Sequence, residues 1–357
     1  MHIPDGYLSP QTNAVLGLAS ALVAAAAVKK TSHSLKAKLV PLISLGAAFS
    51  FTLMMFNIPI PDGTTAHATG GALLAILLGP WSAMISLSVA LAIQAFFFGD
   101  GGILALGANI FNIGIVLPFV SYGVYRLLSG DEKASIKRRT IAAGIAGFIG
   151  INAAALLTGF QFGIQPLLFQ SANGVPLYSP YGLNLALPAM AFAHVLVAGP
   201  IEGIITALVT SHLLKTNPIL FQNNPHSGSY SSSTAQFTGK KTFKKLILGL
   251  GLLVLLTPLG LLASGTAWGE WGAEDIHSQL GFIPTGMEKA SSFWQHSLFP
   301  DYAVAGLEEA FWQQALGYLL SAFVGLGLIT LVGFILYKIF SRAEGPHEST
   351  SLASRKP

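Results

Sequence analysis

The sequence predicts an all-α polytopic transmembrane bundle, about seven spans followed by two more, and three observations carry that expectation. Hydrophobic side chains make up 52% of the 357 residues, whereas Asp, Glu, Lys and Arg make up only 10%, far below the quarter that a water-exposed surface requires. Apolar stretches long enough to cross a bilayer recur along the chain, accompanied by 39 glycines of the kind that let membrane helices approach closely. No run of alternating apolar and polar residues competes as strand. The chain also has no cysteine, so disulfides, thiolate zinc sites and iron–sulfur clusters are excluded, and any metal must be held by nitrogen or oxygen.

Taken in order, spans are expected at 14–28, 39–56, 64–78, 81–98, 103–128, 140–159, 185–214, 246–264 and 316–340. The stretch 64–98 is too long for one crossing of ~20 residues, and Gly79-Pro80 offers the break that divides it. The basic residues support the division. With the N-terminus outside, every Lys and Arg except Lys289 falls at a cytoplasmic end, in clusters around Lys29–Lys38, Arg126–Arg139, Lys215–Lys245 and Lys338–Lys356. Merging 64–98 into one span would place the second and third clusters outside, against the positive-inside rule. The net charge of +4 is thus a topology signal, and no nucleic-acid stripe is present.

This topology divides the chain into a seven-span domain at 1–214, a polar cytoplasmic linker at 215–241 rich in Ser, Asn and Gly, and a two-span domain at 242–345. An outer segment at 265–315 carries seven acids and Trp268, Trp271, Trp294 and Trp312, which read as an interfacial belt. The last residues, 346–357, read as a disordered tail. Three short polar stretches share the outer face: 1–10, 57–71 and the turn Gly99-Asp100-Gly101-Gly102.

The first of these is a potential chelator. Met1-His2 opens the chain with no basic, signal-like segment before the first span, so a retained Met with a free amine is expected. An amino-terminal X-His unit offers three nitrogens: the terminal amine, the His2 amide and the His2 imidazole. The amide must lose its proton to bind, which Ni(II), Cu(II) and to a lesser degree Co(II) drive near neutral pH. Planar nitrogen coordination suits Ni(II) and Cu(II), whereas zinc favours tetrahedral sites. Pro4-Asp5-Gly6 is a turn able to aim this end back into the protein. His67 is the candidate for the fourth position, because it lies on the same face among Gly63, Gly70 and Gly71. Thr64, Thr65 and Thr69 are candidates to orient its ring. Either histidine taken alone reads equally well as a hydrogen-bonded polar residue.

These same blocks resemble a known family. The opening Met1-His2-Ile3-Pro4-Asp5-Gly6-Tyr7-Leu8, the run from His67-Ala68-Thr69-Gly70-Gly71 to Gly79-Pro80-Trp81, and the run from Gln94 through Gly99-Asp100-Gly101-Gly102 to Asn109 resemble the substrate-binding M component (NikM and CbiM) of nickel and cobalt energy-coupling-factor transporters. The Pro-Asp-Gly opening looks more like the nickel branch. Residues 242–340 look like the small N component, fused here, with Phe299-Pro300-Asp301-Tyr302-Ala303-Val304 similar to its short motif. The resemblance implies that Met1, His2 and His67 hold Ni(2+) or Co(2+) in a nearly planar arrangement. It further implies a prokaryotic cytoplasmic membrane, a transmembrane coupling T subunit and two cytoplasmic ATPase subunits as partners, with the metal as transported ligand and no separate cofactor.

Further polar residues have candidate roles. Asp100 and Asn109 flank the Gly-rich turn and are candidates to hydrogen-bond the imidazoles, against ordinary helix capping. Asp5 and Asp62 read either as turn residues or as attractors of cations. Gln94 and Asn112 sit within spans and suit helix–helix hydrogen bonds. His194 and Glu202, eight residues apart on one span, lie roughly 12 Å apart along it, too far to share an ion, so structural hydrogen bonding or contact with a partner is expected. The chain lacks a phosphate-binding Gly-rich loop ending in Lys-Ser/Thr and a His-Glu-x-x-His motif, which argues against an ATPase and a zinc protease. A stand-alone secondary transporter and a membrane metal sensor remain as alternatives to a subunit of an ATP-driven importer.

Overall fold

The computed structural model describes residues 1–32, 40–60, 64–131, 134–221, 240–263, 265–294 and 296–343. Asp62, most of the expected linker and the expected tail lie outside the described residues. Helices dominate: α1 (Pro10–Ser32), α2 (Val40–Met54), α3 (Gly71–Leu78), α4 (Pro80–Ile93), α5 (Leu106–Asn109), α6 (Leu117–Ser129), α7 (Ile136–Leu168), α8 (Leu183–Ala193) and α9 (Gly199–Thr216), then α10 (Lys240–Leu256), α11 (Ala273–Leu280), α12 (Thr285–Ser291) and α13 (Phe311–Ala343). Wide π-type turns extend α4 (Gln94–Phe98) and join α5 to α6 (Ile110–Val116) and α8 to α9 (His194–Ala198). Gln94, Asn112 and His194 all sit on these turns, where a wider ring of backbone accommodates a polar side chain inside the bundle.

Among the described residues, seven helices are long and apolar enough to cross a membrane: Pro10–Thr31, Pro80–Phe98, Leu106–Ser129, Ile136–Leu168, Leu183–Thr216, Lys244–Leu262 and Phe311–Lys338, with Val40–Met54 as a shorter apolar helix. The chain is therefore a multi-pass helical membrane protein. Its interior is apolar, with a few matched polar pairs. Asn112 Nδ2 donates to Gln161 Oε1 at 2.7 Å while Gln161 Nε2 donates back to Asn112 Oδ1 at 2.8 Å, so neither amide is stranded away from water.

The expected span at 64–78 takes another form. Its first residues make β2 (Thr64–Ala66), paired antiparallel with β1 (Ile58–Ile60) so that Ile58 faces Ala66 and Ile60 faces Thr64. These are the strands that the sequence reading lacked, and the β-branched Thr64-Thr65 favours them. Residues 67–70 then have no regular secondary structure, Gly70 adopts φ 71°, and α3 has only eight residues, roughly 12 Å of helix. A helix that starts inside an apolar bundle leaves its first N–H groups unpaired. Glu202 of α9 supplies the acceptors. Its Oε2 accepts from Thr69 N at 2.7 Å and Gly70 N at 2.9 Å, and its Oε1 accepts from Ala72 N at 3.2 Å. A carboxylate at the positive end of a helix is electrostatically favoured as well. Close approach of α7 to α9 at this level requires Gly147, whose added Cβ would lie 3.0 Å from the Glu202 carbonyl oxygen.

The C-terminal helices dock on this bundle. Tyr318 of α13 donates to the Met55 carbonyl at 2.9 Å, and the Leu298 and Phe299 amides donate to the Phe97 carbonyl at 2.8 and 3.0 Å. The expected tryptophan belt is only partly realised. Trp268 and Trp271 turn inward against Tyr181, with ring centroids 5.1 and 6.2 Å away, because they fill the space beside the N-terminal segment. Trp312 is 66% exposed, as a belt residue is.

Replacing Glu202 tests the broken-helix arrangement. Glu202→Gln retains one acceptor oxygen but loses the charge facing three backbone donors, and a destabilisation of about 1–3 kcal/mol is expected, read as a lowered unfolding midpoint of the purified chain in detergent.

Candidate metal centre

The chain end is folded into the bundle. Met1, His2 and Ile3 are 6%, 2% and 0% exposed, and their backbone nitrogens and the Ile3 carbonyl all have partners. Ile3 N donates to Asn109 Oδ1 at 2.7 Å, Asn109 Nδ2 donates to the Ile3 carbonyl at 3.1 Å, and Gly102 N donates to the same carbonyl at 2.8 Å. Asp5 closes the turn by accepting from the Ile103 and Ala105 amides, both at 3.2 Å, and burial pushes its carboxyl above the usual range. These contacts require glycine at 102, since a Cβ there would overlap the Asp5 carboxylate and amide. Asp5 is thus a turn anchor.

The amine and the next amide meet a single acceptor. Met1 N lies 2.6 Å from Glu270 Oε1, and His2 N donates to that same oxygen at 2.7 Å. Glu270 precedes α11 in the C-terminal region, so the acceptor for the first two nitrogens comes from some 268 residues away in the chain. The His2 ring stacks on the His67 ring, with centroids 5.1 Å apart and planes inclined by 25°. Ligand atoms of His2, His67 and Glu270 all lie within 4.8 Å of one another.

Around this group the expected supporting residues divide. Asp100 Oδ1 lies 3.0 Å from His2 Nδ1, the orienting contact anticipated from the sequence. Its other oxygen accepts from the Tyr302 hydroxyl at 2.6 Å and from Gln94 Nε2 at 3.1 Å. Burial pushes the Asp100 carboxyl up, but the facing His2 ring and the Tyr302 hydroxyl outweigh it and hold the group below the usual carboxylate range. Asn109 holds the Ile3 backbone and no imidazole, because the Gly101-Gly102 turn brings the chain end across its amide. The three threonines hold the loop and not the His67 ring. Thr64 Oγ1 accepts from Trp268 N at 2.8 Å, Thr69 Oγ1 accepts from Gly71 N at 3.1 Å, and Thr65 is buried in the hairpin opposite Pro59. The His67 ring itself bonds the neighbouring Ala68 carbonyl through Nδ1 at 3.1 Å. His67 stands ahead of α3, outside any membrane-spanning helix. Burial, the nearby amine and the His2 ring hold it well below the ordinary histidine range, which leaves a neutral imidazole fit to donate a lone pair.

His2 Nε2 is buried and without a hydrogen-bond partner. His2 Nδ1, the ring nitrogen that closes a six-membered ring with the His2 amide, is engaged by Asp100. Hydrogen bonds thus hold the amine, the His2 amide and His2 Nδ1, whereas His2 Nε2 has no partner. His194 stands apart, its Nδ1 bonded to the Met190 carbonyl at 2.9 Å, and Glu202 acts on the backbone ahead of α3, so the two share no site. Glu270 and Tyr302 are the residues that sequence reasoning missed. The Phe299–Val304 motif pointed to Tyr302, but nothing separates Glu270 from the six other acids of its segment except its place between Trp268 and Trp271.

Comparison with known proteins accords with this architecture. Residues 2–220 match the family model for the cobalt uptake substrate-specific transmembrane region, CbiM, and residues 244–342 match the PDGLE domain. The fused nickel transport protein NikMN of Rhodobacter capsulatus is 45% identical over 344 residues, covering 92% of this chain and 95% of that one. A crystal structure of a transition metal transporter is 56% identical, covers 64% of this chain and 98% of its own, and superposes with a TM-score of 0.57. A truncated transition metal transporter is 58% identical over 60% of this chain and 99% of its own, with a TM-score of 0.56. The chain belongs to the CbiM family of nickel and cobalt transport proteins, with a PDGLE domain fused behind the transmembrane region.

Proposed function

We propose that this protein is the substrate-capture subunit of an ATP-driven nickel or cobalt importer, and that the ion is held by the Met1 amine, the His2 amide and imidazole, and the His67 imidazole. The observation that carries the reading is the convergence of the first two nitrogens of the chain on one point, Glu270 Oε1, beside two stacked imidazoles. An ion at that point replaces hydrogen bonds by metal–nitrogen bonds. Three of the four donors belong to one dipeptide, so fused small rings fix their spacing, and Ni(II) tolerates the planar set that results. Closing the set requires His2 Nδ1 to leave Asp100. The proposed topology places the N-terminus outside a prokaryotic cytoplasmic membrane, a capture domain at 1–214 and the fused two-span domain at 242–345, joined by a cytoplasmic linker at 215–241.

A chelate so enclosed does not release its cargo unaided. The chain carries no phosphate-binding loop, so the energy for release is assigned to partners. The proposed partners are a transmembrane T subunit and two cytoplasmic ATPases, whose work turns the site inward. Liposomes containing the purified chain alone are expected to accumulate no nickel above empty controls; robust uptake without ATPases would mark a stand-alone secondary transporter instead.

The chelate has two direct tests. A single residue added before Met1 converts the amine to an ordinary amide, and His67→Ala removes the fourth donor. Each is expected to weaken nickel binding by about 100-fold or more, since losing even a hydrogen-bond partner of a ligand costs about 10–100-fold. Isothermal titration with the full chain measures this, and unaltered affinity in the extended protein would end the model.

Proton competition gives a further expectation. Because the amine and amide must shed protons as the ion binds, nickel affinity should fall as pH is lowered from about 8 to about 6. His67, held well below the ordinary histidine range by burial and the nearby amine, is expected to add less to that slope than an ordinary histidine would. Affinity measured across the range, with proton release followed in two buffers of different ionisation heat, checks both points.

A further inference from the structure

Glu270 sits where the ion is proposed to sit. Its Oε1 is 2.6 Å from Met1 N and 2.7 Å from His2 N, so one oxygen occupies the point on which two nitrogens of a small chelate ring converge. The residues of the group differ in their access to water. The side chains of Met1 and His2 are 1% and 2% exposed and His67 is 6% exposed, whereas Glu270 is 18% exposed. Glu270 also lines a cavity of about 170 Å³ at the N-terminal face, together with Asp5, Gly101, Trp271 and Trp294. A cation arriving through that cavity meets the Glu270 carboxylate before any nitrogen of the centre.

The chemistry favours a relay. A hydrated divalent cation carries oxygen ligands, and a carboxylate replaces one of them without a change of ligand type. The four nitrogens, by contrast, lie in a closed site and must displace several waters together. An oxygen ligand on the wet side lets dehydration proceed in steps. The carboxylate is well positioned for this. The preceding Gly269 adopts φ 84°, and its added Cβ would lie 2.6 Å from the Phe162 ring, so the turn that carries Glu270 is pressed against α7 and is not free to swing away. Trp268 and Trp271 brace it on either side through their packing on Tyr181.

We infer that Glu270 is a loading ligand for the divalent cation: its carboxylate takes the ion from the outer cavity, vacates the seat between Met1 N and His2 N, and passes the ion to the nitrogen set. The inference rests on the capture reading above and extends it by giving the fused domain a direct hand in metal binding. Metal–oxygen coordination forms as one water leaves the ion; as the nitrogens close, the ammonium and the His2 amide each release a proton to solvent, the remaining displaced waters leave, and the metal–oxygen bond breaks.

Rapid mixing of Ni(II) with the full chain in detergent tests the relay, with quenching of tryptophan fluorescence reporting the rate and visible absorption reporting the final ligand set. In Glu270→Gln, which keeps a hydrogen-bond acceptor for the two N–H groups but loses the charge, association should slow by about ten-fold or more. The absorption of the saturated complex should match the wild type. Glu270→Asp, which keeps a carboxylate, should recover most of the rate and guards against a folding defect. Association of the Gln variant at the wild-type rate would reduce Glu270 to a structural pin and overturn the proposal. A changed spectrum at saturation would also overturn it, because the carboxylate would then be a permanent ligand. A wild-type chain that shows no nitrogen-chelate absorption, or whose nickel complex is unaltered by His67→Ala, would instead count against the capture reading, and the loading step would fall with it.

Discussion

A charged chain end buried in an apolar helical bundle needs partners for its amine and its first amides, and that requirement organises this protein. Away from water, an unpaired backbone N–H or C=O is strongly unfavourable, and the first three residues bring several of each. Asn109 answers both groups of Ile3, the Gly102 amide answers its carbonyl a second time, and Glu270 answers the amine and the amide before it. Each partner has its own consequence. Asn109 fixes where α5 stands, the Gly101-Gly102 turn follows from the space that Asp5 needs, and Glu270 obliges the C-terminal segment to lie over the chain end. The fused domain is in this sense part of the inner wall of the site.

The same logic governs the second histidine. Where the chain brings an imidazole to its own first residues, the backbone at 67–70 leaves regular structure and α3 begins only at Gly71. That break exposes amide donors, and Glu202 gathers three of them on one carboxylate. Glu202 and Glu270 thus play parallel parts on opposite sides of the histidine pair. One acid holds the loop that carries His67, and the other holds the amine and amide. Asp100 completes the frame through His2, and Tyr302 anchors Asp100 from the fused domain. Tyr302 and Asp301 both adopt positive φ, an uncommon conformation for residues other than glycine, and the phenol it aims into the bundle reaches the Asp100 carboxylate.

Much of this was legible in the sequence, and the limits have physical causes. The helical bundle follows from composition, and the break read at Gly79-Pro80 is the boundary between α3 and α4. Hydropathy could not show that 64–78 is half hairpin and loop, because an apolar strand and an apolar half-helix have the same mean hydropathy. Met1, His2 and His67 stood out as chemistry, and the structure brings the three together. The supporting residues were harder to read. Asp100 touches His2 as its position suggested, but Asn109 and the three threonines serve backbone groups, and no sequence pattern says which of two nearby acceptors a side chain will choose. Glu270 was illegible for a different reason. Its role arises from a contact across 268 residues, and such a pairing is set by the docking of two domains, not by local spacing.

Nitrogen and oxygen donors divide the labour of binding a transition metal by where they sit. Buried nitrogens of a single dipeptide make a strong, slow site: their spacing is covalent, their desolvation is already complete in the folded protein, and nothing but the metal satisfies them as well as the hydrogen bonds they already have. Such a site resists both loading and release. An oxygen donor at the edge of water has the opposite character, and a segment anchored on a separate pair of membrane helices is a suitable carrier for it, because the carboxylate can give way without disturbing the helices that hold the nitrogens. Fusion then ensures that the acid and the proposed chelate are always present together in one chain. Under the proposed chelate, the amine and amide are fixed by the backbone itself, so the side chains facing the cavity, Glu270 foremost, are the positions where adaptation to another metal acts most readily.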